Sequence, residues 1–297
     1  MKNYMKYLRL MRPANVVTAV ADILLGYAAS GAVVNVFSEN FSFHILIALV
    51  ISTMGLYSGG VVLNDVFDAE LDAVERPERP IPSGAVSLKK AALLGVFLLL
   101  IGIGAAFQAS VLSGVIALFI SVLVAMYNAY GKHQMVFGPL NMGACRGMNV
   151  LLGVSAIPAM VSELWFISLI SILYIAAITM ISRGEINGGS KKIMFGALII
   201  YLFVVLSVVA LCSLPQYKII YTIPFLLLFV YLTLLPLLQA LEKPKALEVR
   251  KAVKACVLSL IALDAAMAAG FAGWEYGLVV LCLLPVSIAL AKFFAVT

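Results

Sequence analysis

The chain has 297 residues, 64% of them hydrophobic and 11% charged, with a mean hydropathy of +1.11. Soluble domains are about 45–50% apolar and about 25% charged, so a water-soluble globular enzyme is excluded. The net charge of +6 arises from 20 Lys and Arg against 14 Asp and Glu. No nucleic-acid partner is expected from it, because in so apolar a chain the position of the charges says more than their total.

Apolar runs succeed one another at about 14–34, 42–67, 88–108, 109–130, 137–160, 163–182, 193–213, 219–240, 251–271 and 275–295, and each suffices to cross about 30 Å of hydrocarbon. Backbone groups find no water in a bilayer core, and these runs lack the alternation of a barrel, so they are read as helices. The expected fold is all-α: a polytopic membrane bundle of nine to ten transmembrane helices, forming a single domain over 1–297. The first run has no small-residue cleavage site at the usual distance, so no removable signal peptide is expected. A short turn around Gln108 to Ser110 must part the third run from the fourth. Cys145, Cys212, Cys256 and Cys282 all lie inside apolar runs without CxxC spacing, which argues for packing rather than metal or redox chemistry. His44 and His133 are lone loop histidines, and a metal role for them is not expected.

Basic residues test the count independently, since Lys and Arg collect on cytoplasmic loops. With the N-terminus on one side and helices alternating, seventeen of the 20 fall on that side; Arg146 lies mid-helix, Lys218 opposite and Lys292 near the C-terminus. The N-terminus is therefore expected in the cytoplasm. The longer loops at 68–90, 131–136, 183–192 and 242–250 share that side, so aqueous chemistry is expected at the cytoplasmic face of a multi-pass cell-membrane protein.

The second run ends in NDVFDAELD (64–72), followed by RPERPIPSG (76–84). Asn64, Asp68 and Asp72 are spaced by four, so on a helix they form one oxygen-bearing stripe. Acids ending an apolar helix cost a few kcal/mol each if they face lipid, which directs them to a water-filled interior. A ladder of carboxylates with Arg76 and Arg79 downstream suits a magnesium-bound diphosphate. Mg²⁺ takes hard oxygens, about one or two carboxylates plus phosphates and waters, while Arg neutralises the remaining phosphate charge. The blander reading is a solvated helix end whose acids pair with their own arginines.

These residues resemble the UbiA superfamily of intramembrane prenyltransferases. LMRPAN (10–15) and YNAYGK (127–132) agree with it, and the resemblance spans residues 9 to about 190. It implies a bundle around a lipid-open chamber, in which two acidic motifs face each other across Mg²⁺ and an isoprenyl diphosphate. On this resemblance Asn64, Asp68 and Asp72 match the first metal-diphosphate motif, Arg79 the arginine beside it, and Lys132 a lysine that contacts diphosphate. The second motif departs from the family pattern: SRGEINGG (182–189) offers Glu185 alone, with Gly189 four residues later. This variant, with GPLNMGACRGMN (138–149), is similar to the EboC-like branch.

The expected site thus comprises Asn64, Asp68, Asp72 and Glu185 as metal-holding catalytic residues. Arg76, Arg79, Lys132 and Arg183 are expected to bind substrate. Tyr127 and Tyr130 stand either as cation-stabilising aromatic faces or as interfacial anchors. Asn15, Arg146 and Asn149 stand either as acceptor-site lining or as structural glue, and an unpaired charge at that depth favours an ion pair between Asp22 and Arg146. Asp264 is read as bonding a neighbouring helix. The implied activity is Mg²⁺-dependent transfer of a prenyl group from an isoprenyl diphosphate to a small, unidentified acceptor within the bilayer. The alternative is a non-catalytic lipid-diphosphate binder or transporter with a degenerate second motif.

Overall fold

A computed structural model describes residues 3–33, 43–131, 134–186 and 188–294. Its elements run α1 (Asn3–Met11), α2 (Pro13–Ala29), α3 (Phe43–Phe67), α4 (Ala69–Glu75), α5 (Leu88–Ala109), α6 (Val111–Ala129), α7 (Phe137–Val154), α8 (Met160–Leu164) and α9 (Ile167–Ser182). They continue with α10 (Lys191–Ala210), a 3-10 turn (Leu211–Ser213), α11 (Ile219–Glu242), α12 (Ala246–Ala272), α13 (Trp274–Leu281) and α14 (Leu283–Leu290). Among the described residues there is no strand.

The turn expected near Gln108 is a single residue. Ser110 is extended, ends α5 and caps α6, its Oγ accepting from the Ser113 backbone N–H at 3.0 Å. One capping hydroxyl converts what would otherwise be a double-length run into an antiparallel pair.

The centre of the bundle is α2, α7 and α12, whose residues are largely buried, whereas α5 and α10 keep most of their surface outward. Small residues let the central helices approach. A Cβ on Gly26 of α2 would stand 2.2 Å from the Val150 carbonyl oxygen of α7, and one on Gly153 would stand 2.6 Å from that of Ile23. Backbone contact of this kind is how helices gain packing energy in lipid, where no hydrophobic drive holds them together.

Among the described residues six helices are long and apolar enough to cross a bilayer: α3, α5, α6, α10 with its 3-10 turn, α11 and α12. Three shorter apolar stretches accompany them, Pro13–Ala29, Ile167–Ser182 and Trp274–Leu290. The expected nine to ten spans therefore rest also on these shorter helices and on α7, which fall below the length and hydropathy of the six. α7 carries Asn141, Arg146 and Asn149 inside its apolar surface, and the last run is broken into α13 and α14 at Cys282. The protein is a multi-pass, all-helical membrane protein.

Candidate active site

α3 and α4 are nearly continuous. Asp68 interrupts them with φ −90° and ψ 2°, yet its N–H still bonds the Asn64 carbonyl at 2.9 Å, and the Asp72 N–H bonds the Asp68 carbonyl at 2.8 Å. The expected single stripe thus carries a bend at its middle acid, and all three side chains nonetheless line one chamber of about 510 Å³. Arg12, Glu75, Arg76, Arg79 and Glu185 line the same polar end. Leu56, Ile120, Val124, Ile175, Ile178 and Leu260 continue its walls into the bundle. Charge and apolar surface are therefore adjacent within one cavity, the combination that a lipid diphosphate presents.

Arginines answer the acids on the α3–α4 side. Arg79 Nη1 donates to Asp72 Oδ2 at 2.7 Å and to Asp65 Oδ1 at 3.4 Å, and Arg12 Nη2 donates to Asp65 Oδ1 at 2.6 Å. Asp65 is thus the buried hinge between two guanidiniums. Arg12 reaches it from an unusual backbone: φ 46° and ψ 64°, a left-handed conformation that costs a non-glycine residue about 1–2 kcal/mol. Pro13 disfavours the right-handed helical region for the residue before it, so the chain turns between α1 and α2 at Arg12. The Arg12–Asp65 ion pair rewards that strained turn. Asn64 is also held: its Nδ2 donates to Asn128 Oδ1 at 3.1 Å.

The opposite wall is sparser. Glu185 follows α9, and its Oε2 lies 3.9 Å from Arg76 Nη2 while its Oε1 is buried with no hydrogen-bond partner among the described residues. Burial pushes the Glu185 carboxyl above the usual range, with nearby Arg76 and Arg250 opposing the shift. Burial likewise lowers Arg76, reinforced by the like charge of Arg79. Arg250 of α12 donates its Nε–H to the Glu185 carbonyl at 2.7 Å, bracing the loop from behind.

A divalent metal fits this donor set in one way. Among the described residues no three Asp, Glu, His or Cys side chains converge on a common point, so no ready-made cage exists. Mg²⁺ does not require one, since about one or two carboxylates plus substrate phosphates complete its shell. The hard oxygens of Asn64, Asp68, Asp72 and Glu185, with the unpartnered buried Glu185 Oε1, are the groups such an ion would recruit.

Deeper in the chamber, Asn15, Tyr127, Arg146 and Asn149 join the lining. The expected charge pair is present: Arg146 Nε stands 2.6 Å from Asp22 Oδ2. Asn149 Nδ2 donates to the same oxygen at 2.8 Å, Thr53 Oγ1 donates to Asn149 Oδ1 at 2.8 Å, and Arg146 Nη2 donates to the Thr18 carbonyl at 2.6 Å.

Two of the expected residues lie away from the chamber. Tyr130 follows the last turn of α6, leaves helical geometry at φ −135°, and is 74% exposed away from the lining. Arg183 caps α9 and donates instead to the Gln134 carbonyl, tying the α6–α7 connection to α9. Lys132 lies outside the described residues. Asp65, Arg12, Asn128 and Arg250 were not among the expected site residues.

The sequence comparisons agree with this geometry. Residues 23–258 match the UbiA prenyltransferase family. The chain belongs to that family. A digeranylgeranylglyceryl phosphate synthase of Methanococcoides burtonii is 38% identical over 152 residues, covering 50% of this chain and 53% of that protein. One of Saccharolobus solfataricus is 27% identical over 253 residues, covering 78% and 86%. With the first of these and several others, the alignment spans only about half to three-fifths of the curated relative's length. Among solved UbiA-type structures, a homolog from Archaeoglobus fulgidus bound to GPP and Mg²⁺ superposes with a TM-score of 0.68 at 13% identity, over 97% of this chain and 99% of that one. A homolog from Aeropyrum pernix gives 0.64 at 15% identity, over 84% and 96%. At such identities the superpositions establish a shared fold.

Proposed function

We propose that this UbiA-family protein transfers a prenyl group, in a Mg²⁺-dependent reaction, from an isoprenyl diphosphate to a glycerophosphate-type acceptor inside the membrane. The observation that carries the reading is the chamber itself, where Asn64, Asp68, Asp72 and Glu185 share one polar end with Arg12, Arg76 and Arg79 and open onto apolar walls. The donor class agrees with the GPP held by the Archaeoglobus homolog. The acceptor class rests on the relatives' name, which describes a product with two geranylgeranyl groups on glyceryl phosphate.

Mg²⁺, when bound, neutralises the diphosphate and stabilises the negative charge that grows on it as it leaves. Asp68 and Asp72 would hold the ion, with Asn64 presenting its carbonyl oxygen because its amide nitrogen is engaged by Asn128. Arg79 and Arg76 supply positive charge where the bond to the allylic carbon breaks. The acceptor hydroxyl oxygen forms the new bond to that carbon. The departing diphosphate keeps the old bonding pair and takes the hydroxyl proton. Leu56, Ile120, Ile175, Ile178 and Leu260 seat the prenyl chain and keep water from the electron-poor carbon. Tyr127 presents its ring on the same wall. The site faces the cytoplasm, the shorter helices and α7 complete ten crossings, and residues 1–297 act as one domain.

The test is diphosphate release by purified protein given Mg²⁺, geranylgeranyl diphosphate and geranylgeranylglyceryl phosphate. Release that needs both the metal and the acceptor supports the proposal. Tight donor binding without release for any glyceryl phosphate acceptor would overturn it in favour of a lipid-diphosphate binder.

A further inference from the structure

Behind the chamber wall lies a charge cluster that the reaction above does not use. Asp264, on α12, is fully buried, and both of its carboxylate oxygens lack a hydrogen-bond donor among the described residues. Its side chain faces Asp22 of α2 at hydrogen-bonding range, and Asp22 Oδ1 also lacks a donor. Neither acid lines the chamber; Arg146 and Asn149, which Asp22 holds through its other oxygen, do.

Two ionised carboxylates offer each other only acceptors, so no bond can form between them as anions. The charge count points the same way. Among the described residues Arg146 is the one guanidinium facing the pair; its Nη2 donates to the neutral Thr18 carbonyl and the Tyr57 ring lies 5.9 Å from it. Two carboxylates against one guanidinium leave an uncompensated buried anion, which an apolar interior does not tolerate. One proton shared by the pair removes both problems, as in other carboxyl pairs confined together.

We infer that Asp264 is held as a neutral carboxylic acid whose O–H donates to Asp22 Oδ1, making Asp264 a positioning residue that fixes Arg146 and Asn149 on the chamber wall. Asp22 then uses one oxygen for Asp264 and the other for Arg146 and Asn149, and its rotamer is set from both sides. The consequence for turnover rests on the reaction proposed above; the protonation does not.

Infrared spectroscopy on protein containing carboxyl-¹³C aspartate tests the proton directly. At neutral pH the wild type should show a protonated-carboxyl C=O band that shifts with the label, is lost in Asp264→Asn and persists in Asp68→Asn. An unchanged band in Asp264→Asn, or no labelled band in the wild type, would overturn the inference. For positioning, Asp264→Asn supplies an amide donor and should keep acceptor KM within about threefold of wild type, while Asp264→Leu should raise it roughly tenfold with kcat little changed. Wild-type KM in Asp264→Leu would remove the positioning role. If Asp264→Leu does not fold, Asp264→Asn and the band decide. A wild type that turns over no acceptor would refute the proposed reaction and leave the infrared result standing.

Discussion

The two walls of the polar chamber are built on opposite plans. On the α3–α4 wall, Asp65 and Asp72 are each already met by arginine, Arg12 straining its backbone to arrive and Arg79 bridging both acids. On the α9–α10 wall, Glu185 stands 3.9 Å from Arg76 and keeps one buried oxygen unpartnered. The first wall is organised before any ligand arrives; the second has bonding capacity in reserve. For the proposed reaction, a site made this way would grip the diphosphate from the first wall and complete its coordination from the second.

Removing the central acid of the organised wall should have the largest effect. Asp68→Ala is expected to lower diphosphate release roughly 10²–10³-fold, the scale of losing one oriented electrostatic group. Near-normal release at saturating Mg²⁺ would show that the first wall does not anchor the metal. Next comes Asp65→Asn, which leaves Arg12 and Arg79 without their shared counter-charge. Breaking one side of a buried pair costs about 3–5 kcal/mol, and the partial exposure of both arginines places this variant at or below the lower end. Thermal unfolding in detergent, with and without geranylgeranyl diphosphate, checks it: the ligand should restore much of the lost stability by supplying new negative charge. Equal stabilisation of wild type and variant by ligand would contradict that account.

How much of this was legible depends on what each residue answers to. The acids of 64–72 were readable because carboxylates at the end of an apolar run are costly facing lipid and must find water or a partner, and the Asp22–Arg146 pair was readable for the same reason. Asp65 was passed over because spacing by four selects Asn64, Asp68 and Asp72, whereas Asp65 and Asp72, seven apart, form the pair that clasps Arg79. Arg12 was read as a charge marking orientation and as part of the LMRPAN motif, with no site role; its left-handed turn before Pro13, which aims it into the chamber, is a tertiary result. Asn128 is neutral and leaves no trace in charge patterning. Tyr130, which takes the anchor alternative, and Arg183 lie away from the chamber for one common reason. Each sits at a helix end, where a residue or two of helix termination decides between chamber and surface, and periodicity does not fix that boundary.

The sparse wall can be probed by adding an acid or neutralising one. Gly189 occupies the place of a second acid four residues after Glu185, but a Cβ there would meet Met194 Cε at 2.6 Å and Val249 Cγ2 at 3.2 Å, an apolar setting. Gly189→Asp is therefore expected to lose roughly 1–3 kcal/mol of stability without reducing the Mg²⁺ concentration needed for half-maximal release. A lower Mg²⁺ requirement would show that this position faces the metal after all. Glu185→Gln keeps the shape and removes the charge. Its expected effect is smaller: roughly a tenfold loss of activity, partly recovered at high Mg²⁺, because Asp68 and Asp72 remain. Wild-type Mg²⁺ dependence in Glu185→Gln would take that residue out of the site.

The smallest effect separates two tyrosines three residues apart at the end of α6. Tyr127 lines the chamber, whereas Tyr130 lies past the helix end with most of its ring exposed. Interfacial tyrosines anchor a helix through many weak contacts, so losing one changes stability by no more than about 0.5 kcal/mol. Tyr130→Ala should therefore retain activity within about twofold of wild type. Tyr127→Ala opens a gap in the chamber wall; on the proposed reaction this admits water and should divert donor toward hydrolysis, measured as diphosphate release in excess of prenylated product. If both variants couple release to product as tightly as the wild type, water exclusion depends on the aliphatic walls, and the aromatic ring is only part of the packing.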